Sequence, residues 1–183
     1  MKKQMLFIHS AGTQDAHQGN SNLFAYLKDS LGDEYNLLYP KMPHPENPEY
    51  KLWETQLEKE FAALDDEVFL IGHSLGGSVL LKYLSEKTIN HIISGLFMIA
   101  APYWGKDDDW QANAYILPKD FATKLPVISH IFLYHSRHDE VVPSMHLEYY
   151  KQKLPKAHTH ILDDDEHYFN NGLPKLIDDI KAL

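Results

Sequence analysis

The sequence predicts an α/β fold: a three-layer α/β/α sandwich on a mostly parallel sheet of about six strands. Three observations predict it. Short apolar runs alternate with stretches of helical spacing along the chain. Strand–helix–strand succession needs crossovers, which set helices on both faces of a parallel sheet. Several strand candidates are continuously apolar, as strands buried on both faces are. A glycine-flanked serine, Gly72-His73-Ser74-Leu75-Gly76, stands between one such strand and the helix after it.

Each element has its own signal. Met5-Leu6-Phe7-Ile8 is the first buried strand. Asn20 or Ser21 caps a helix carrying Leu23, Leu27 and Leu31 on one face, and Gly32 stops it. Tyr35 to Tyr39 is a second short strand, ended by Pro40. Asn47-Pro48-Glu49 reads as a helix start, with a cap, a proline in the first turn and an early acid. Trp53, Leu57, Phe61 and Leu64 then recur at helical spacing. Glu67 to Ile71 is the third strand, and Val79, Leu80, Tyr83 and Leu84 mark the helix beyond the serine. Gly95 to Ala100 and His130 to Tyr134 are the fourth and fifth strands, and Ser144 to Leu154 is a helix. His158 to Leu162 alternates like a short edge strand, and Leu173, Leu176, Ile177, Ile180 and Leu183 form a closing helix.

Residues 101–126 break this rhythm. They carry Tyr103, Trp104, Trp110, Tyr115 and the run Asp107-Asp108-Asp109. They read as an irregular, lid-like excursion at the carboxyl end of a strand, where open α/β sheets bind ligands. The whole of 1–183 reads as one domain, since the length suits one core and not two.

Composition narrows the function. The chain is 44% hydrophobic and 23% charged, ordinary for a globule. Seventeen Lys and Arg against 26 Asp and Glu leave a formal charge of −9, which disfavours phosphate backbones and anionic lipid. The partner expected is therefore a small molecule, not a nucleic acid or a membrane. The apolar runs fall short of the ~20 residues that span a bilayer. Met1-Lys2-Lys3 leads into a brief apolar stretch with no small-residue cleavage site, so the expected location is the cytoplasm. Cysteine is absent, which removes disulfides and thiolate nucleophiles. Histidine is abundant, with 12 copies.

Gly72-His73-Ser74-Leu75-Gly76 matches Gly-x-Ser-x-Gly. Three fixed positions arise by chance in roughly one chain of this length in twenty, so the context decides. An apolar strand enters it and an amphipathic helix leaves it, the setting of a nucleophile elbow. In so tight a turn the serine is strained and residues 72 and 76 must be small. The competing readings are a plain strand-to-helix turn and a phosphate loop, but neither Gly-Lys-Ser/Thr nor Gly-x-Gly-x-x-Gly is present. A serine hydroxyl needs a base. In this arrangement the order is Ser, acid, His. Asp139 and His167 both fall in segments beyond a strand end, and 74, 139, 167 is the right order.

The chain resembles the α/β-hydrolase superfamily over essentially its whole length. It is most similar to the compact retinoblastoma-binding-protein-nine-like serine hydrolases. The resemblance rests on Gly72 to Gly76, Met42-Pro43-His44-Pro45 with Trp53, Asp139 with Val142-Pro143, and His167 with Phe169. It implies a sheet lacking the first two strands of the full fold, a Ser74–Asp139–His167 triad, and esterase or peptidase chemistry with no cofactor or metal. By position, the amides of Ala11 and Leu75 are the oxyanion donors. The chain departs from the family pattern at Glu166, where glycine usually precedes the catalytic histidine, and at Ser10 in the loop after the first strand.

Other acids compete with Asp139, namely Glu140, the Asp107 cluster and Asp163 to Asp165. His135, His138 and Asp139, with His158 and His160, are metal-ligand types, but His-Glu-x-x-His is absent. His73 reads as a packing residue, and His9 as a support of the oxyanion loop. His17, His44, His91, His130 and His146 read mostly as solvated surface. His9, Ser10, Tyr103, Trp104 and Trp110 are the candidate substrate pocket. The expected function is hydrolysis of a small ester, thioester or amide. An acyltransferase with the same triad, or a non-catalytic interaction module, stands beside it. Nothing in the sequence sets the oligomeric state.

Overall fold

All six strands run parallel in the computed structural model, which describes residues 2–163 and 166–183. The strands are β1 (Lys3–Ile8), β2 (Tyr35–Leu38), β3 (Glu67–His73), β4 (Ile92–Ile99), β5 (Ile131–Ser136) and β6 (His158–Leu162). They form one sheet in the order β2-β1-β3-β4-β5-β6. The helices are α1 (Ser21–Leu31), α2 (Tyr50–Ala62), α3 (Leu75–Glu86), α4 (Phe121–Lys124), α5 (Met145–Lys153) and α6 (Pro174–Lys181).

Side-chain alternation sorts each strand onto two cores. Met5, Phe7, Phe69, Ile71, Phe97, Ile99, Phe132 and Tyr134 face α1 and α6. Leu6, Ile8, Val68, Leu70, Leu96, Met98 and Leu133 face α2, α3 and α5. Both faces are covered, which explains the unbroken apolar runs. The order reverses direction at β1 and β3, so their carboxyl ends open onto a crevice. The edges are β2 and β6, the latter as expected from its alternation.

Four local expectations need correction. β4 begins at Ile92, because Val68 pairs with Ile93 and Phe69 with Gly95. Ser94 is the extra residue of a bulge, and it breaks the apolar pattern that places the start at Gly95 in sequence. α2 begins at Tyr50, not beside Asn47, since Glu49 is still extended and the Pro48 carbonyl accepts the Tyr115 hydroxyl at 2.6 Å. Neither Asn20 nor Ser21 caps α1 with its side chain. Asn20 Oδ1 instead faces the Ser10 and Tyr39 hydroxyls at 3.4 and 3.5 Å, and Ser21 Oγ accepts the Gln18 N–H. β2 stops at Leu38. Residues 101–126 hold a single turn, Asn113–Tyr115, and the short α4, with irregular chain between.

Candidate active site

Ser74 is the hinge between β3 and α3, with φ 51° and ψ −123°. That conformation is costly for a residue with a Cβ and persists because its surroundings enforce it. The Ser74 N–H donates to the Ile99 carbonyl at 2.8 Å, and its own carbonyl accepts the Gly77 N–H at 3.0 Å. A Cβ on Gly76 would sit 2.3 Å from the Ile8 carbonyl oxygen, and one on Gly72 would sit 2.5 Å from the Gly77 Cα. Both obstacles are backbone, so neither can yield cheaply. The small residues expected at 72 and 76 thus have a specific steric cause.

The structure brings Ser74, His167 and Asp139 together. His167 Nε2 lies 3.0 Å from Ser74 Oγ, and its Nδ1 lies 2.8 Å from Asp139 Oδ2. His167 is buried, as is the Asp139 side chain. The other oxygen, Asp139 Oδ1, accepts the Val141 and Val142 N–H groups at 2.9 and 2.7 Å. Burial works to raise the Asp139 pKa, but bonds from His135, His167 and the Val142 amide outweigh it. The carboxyl is held well below the usual range, so it is an anion at neutral pH.

Two further histidines brace this line. His73 is fully buried and donates Nε2–H to the His167 carbonyl at 2.8 Å. Desolvation and the neighbouring His167 push its pKa down to about 3, so it is neutral. His135 donates from Nε2 to the Val142 carbonyl at 2.8 Å, with Asp139 Oδ2 at 3.4 Å. The turn 139–142 is therefore held from the end of β5. In sequence His135 stands out only as a metal-ligand type. Its place near the end of a buried strand, four residues before Asp139, is the available signal.

The loop after β1 supplies the opposite wall. His9 and Ser10 are buried and Ala11 is exposed. The Gly12 N–H donates to Pro45 at 2.7 Å, and Trp53 Nε1 donates to Pro43 at 2.9 Å. Met42 to Pro45 and Trp53 thus anchor the loop. His9 Nδ1 bonds the Ser10 carbonyl, its ring packs 5.3 Å from Trp53, and burial lowers its pKa to about 4. Leu75 is the first residue of α3, where helix N–H groups lack intrahelical acceptors and the dipole is positive.

The segment 101–126 leaves the sheet beside the elbow. Ser78 Oγ and Tyr150 OH both donate to the Pro102 carbonyl, at 2.7 and 2.8 Å. Tyr103 is buried, whereas Trp104 and Trp110 are half-buried and meet edge to face at 4.9 Å. Tyr115 closes on Trp104 at 4.8 Å. The pocket candidates thus fall into two groups, His9 with Ser10 on one loop and the aromatics on the other. A separate cleft of about 370 Å³, lined by Leu125, Ile128, Ile131 and Leu154, lies at the amino ends of β5 and β6, away from Ser74.

The competing acids go elsewhere. Asp107 Oδ2 sits 2.9 Å from His146 Nε2, Asp163 pairs with Arg137 at 2.6 Å, and Glu140 is exposed. Asp164 and Asp165 lie outside the described residues. Glu166 is exposed and accepts from Asn170 Nδ2 at 2.5 Å. Among the described residues no three His, Asp or Glu side chains converge as metal ligands. His17, His44 and His130 are exposed and His91 is half-buried. His146 is not surface: it is wholly buried. Its signal was its helical phase, four residues before the inward Tyr150.

Comparison with known proteins gives the family and the fold. The serine hydrolase family model matches residues 22–169. No curated protein matches the chain in sequence. Among solved structures, the ydeN gene product of B. subtilis superposes with a TM-score of 0.78 at 20% identity, covering 99% of this chain and 98% of that one. A serine hydrolase from Cycloclasticus zankles gives 0.70 at 16% identity, covering 98% and 90%. An esterase from Exiguobacterium antarcticum gives 0.66 at 16% identity, covering 98% and 91%. The shared feature is the α/β-hydrolase fold. Among the described residues no helix is long and apolar enough to cross a membrane.

Proposed function

The chain belongs to the serine hydrolase family, and from that premise we propose that it cleaves a small carboxylic ester, thioester or amide through an acyl-enzyme on Ser74. One observation carries the reading. An unbroken line of hydrogen bonds runs from Asp139 Oδ2 through both His167 nitrogens to Ser74 Oγ.

The chemistry follows from that line. Ser74 Oγ attacks the carbonyl carbon while His167 Nε2 takes its proton. Asp139 keeps the ring proton on Nδ1, which leaves Nε2 free to accept, and it stabilises the imidazolium that forms. The tetrahedral oxyanion receives the Ala11 and Leu75 amides, each worth about 10²–10³ in rate. His167 then returns the proton to the leaving alcohol, thiol or amine as its bond to carbon breaks. Water, deprotonated by the same ring, attacks the acyl-enzyme, releases the acid and restores Ser74. Every proton transfer uses a group of the chain itself.

In this reading residues 101–126 are the lid of a single-domain enzyme. His9, Ser10, Tyr103, Trp104 and Trp110 line its pocket. So short a segment suits small or short acyl groups. The test is labelling by a fluorophosphonate probe, wild type beside Ser74→Ala. Wild type is expected to label and the variant is not. Equal labelling of both, or of neither, would overturn the assignment.

A further inference from the structure

His146 reaches the excursion from α5. It is wholly buried. Its Nδ1 accepts the Tyr103 backbone N–H at 2.7 Å. The remaining ring proton is therefore on Nε2, which stands 2.9 Å from Asp107 Oδ2 in a close, bent contact. Asp107 in turn accepts the Trp110 N–H on Oδ1 at 3.1 Å, and the Gly105 N–H closes the loop onto the Trp110 carbonyl at 2.7 Å. The Trp110 ring rests 5.7 Å from the His146 ring and 4.9 Å from Trp104. One imidazole thus holds two points of the excursion, residues 103 and 107, and the tryptophan pair between and beyond them.

The same segment is fixed at its start against the elbow. Ser74 bonds Ile99, and Pro102 receives the Ser78 and Tyr150 hydroxyls. Between these anchors and His146, Trp104 has little freedom to move. Exposed loop chain without such ties would be mobile. Gly105 has φ 85° and no long helix follows until α5, so local structure alone would not hold the tryptophans.

We propose that His146 is a positioning residue that, with Asp107, fixes the Trp104–Trp110 wall and so sets the length of acyl group the site accepts. The proposal rests on the Ser74 hydrolase reading. His146 makes no contact with the reacting atoms in it. A rigid wall excludes long chains, whereas a loosened wall gives way to them. Pocket discrimination of this kind is worth roughly 10–200-fold.

The experiment compares wild type, Asp107→Asn and His146→Ala on p-nitrophenyl acetate and p-nitrophenyl octanoate, with fluorophosphonate labelling alongside. Asp107→Asn keeps the acceptor for Trp110 and replaces the carboxylate facing Nε2 by an amide. It touches a partly exposed residue, so it tests the idea even if His146→Ala fails to fold. The octanoate-to-acetate ratio of kcat/KM is expected to rise about tenfold or more, chiefly through KM for octanoate, while Ser74 still labels. An unchanged ratio in a folded, labelling Asp107→Asn protein would overturn the proposal. Loss of labelling in that variant would also overturn it, by placing the pair in support of the nucleophile. Failure of wild type to label would instead strike the hydrolase reading itself.

Discussion

His73 donates its Nε2–H to the backbone carbonyl of His167 at 2.8 Å, across 94 residues of sequence. The bond ties the residue before Ser74 to the segment that carries His167. Phe169, buried and at φ 50°, pins the same loop into the α1/α6 core. His167 is thus held through its own carbonyl and through the side chain two residues on.

Replacing His73 by phenylalanine keeps an aromatic ring, somewhat larger than imidazole, and removes the donor. The carbonyl left unpaired in a buried site costs about 1–3 kcal/mol. Relief of that cost by a shift of the loop moves the imidazole, and a displacement near 1 Å can cost about 10² in rate. His73→Phe is expected to lower kcat on a short ester about 10–100-fold with a smaller change in KM. Wild-type kcat in a folded variant would show that the His73 bond positions nothing.

Asp139→Asn has a defined outcome because the orientation of the amide is decided by its neighbours. Val141 and Val142 both donate to Oδ1, so the asparagine oxygen must face them. Its NH₂ then faces His167 Nδ1, and two donors cannot meet. The ring is forced to carry its proton on Nε2, where it can no longer accept from Ser74. The expected loss in kcat/KM is about 10³–10⁴-fold. A loss under tenfold would return the role of the acid to Glu140 or the Asp107 cluster.

How much of this was legible in sequence depended on how local the cause was. Met5 to Ile8 and Val68 to Ile71 read as strands because both faces are buried. The elbow read clearly because its strand–turn–helix setting is local, as is the clash of a Gly72 side chain with Gly77, although the obstacle at Gly76 is the distant end of β1. Asp139 and His167 are candidates by their places beyond strand ends and by the family resemblance, and the structure brings both to Ser74. The start of β4 was not legible, since the Ser94 bulge exists only against its partner strand. Asn20 looked like a cap until Ser10 and Tyr39 competed for its side chain. His146 was the deepest miss. An isolated histidine in a polar helix declares nothing until Tyr103 and Asp107 are brought to it.

Gly76→Ala tests the steric account of the elbow. The added methyl meets the Ile8 and His9 carbonyl oxygens at 2.3 and 2.4 Å. β1 and α3 must separate, or α3 must shift away from Ser74. Overpacking costs typically about 1–3 kcal/mol, and rigid backbone obstacles place this case at the upper end. A lower urea midpoint with unchanged slope, together with lost fluorophosphonate labelling, is the expected pair of results. A variant as stable and as reactive as wild type would refute the contact argument.

The buried histidines set an acid limit on stability. Burial lowers the His9 pKa to about 4 and the His73 pKa to about 3. In the unfolded chain both return to about 6.5. Between those values the unfolded state binds protons that the folded state refuses, so stability falls as pH falls. The contribution is complete above about pH 6.5 and drains away toward pH 4 for His9 and pH 3 for His73. Each group removes up to about 1.4 kcal/mol per pH unit within its window. His146 and His160, also lowered by burial, act in the same direction. Asp139 does not contribute to this slope. Its lowered pKa gives stability that is lost only below the ordinary carboxylate range. Urea midpoints should therefore drop steadily from pH 7 to pH 4.5, and His73→Phe should make the decline shallower by one proton. A midpoint that stays level over that range would contradict the neutral, buried state assigned to these rings.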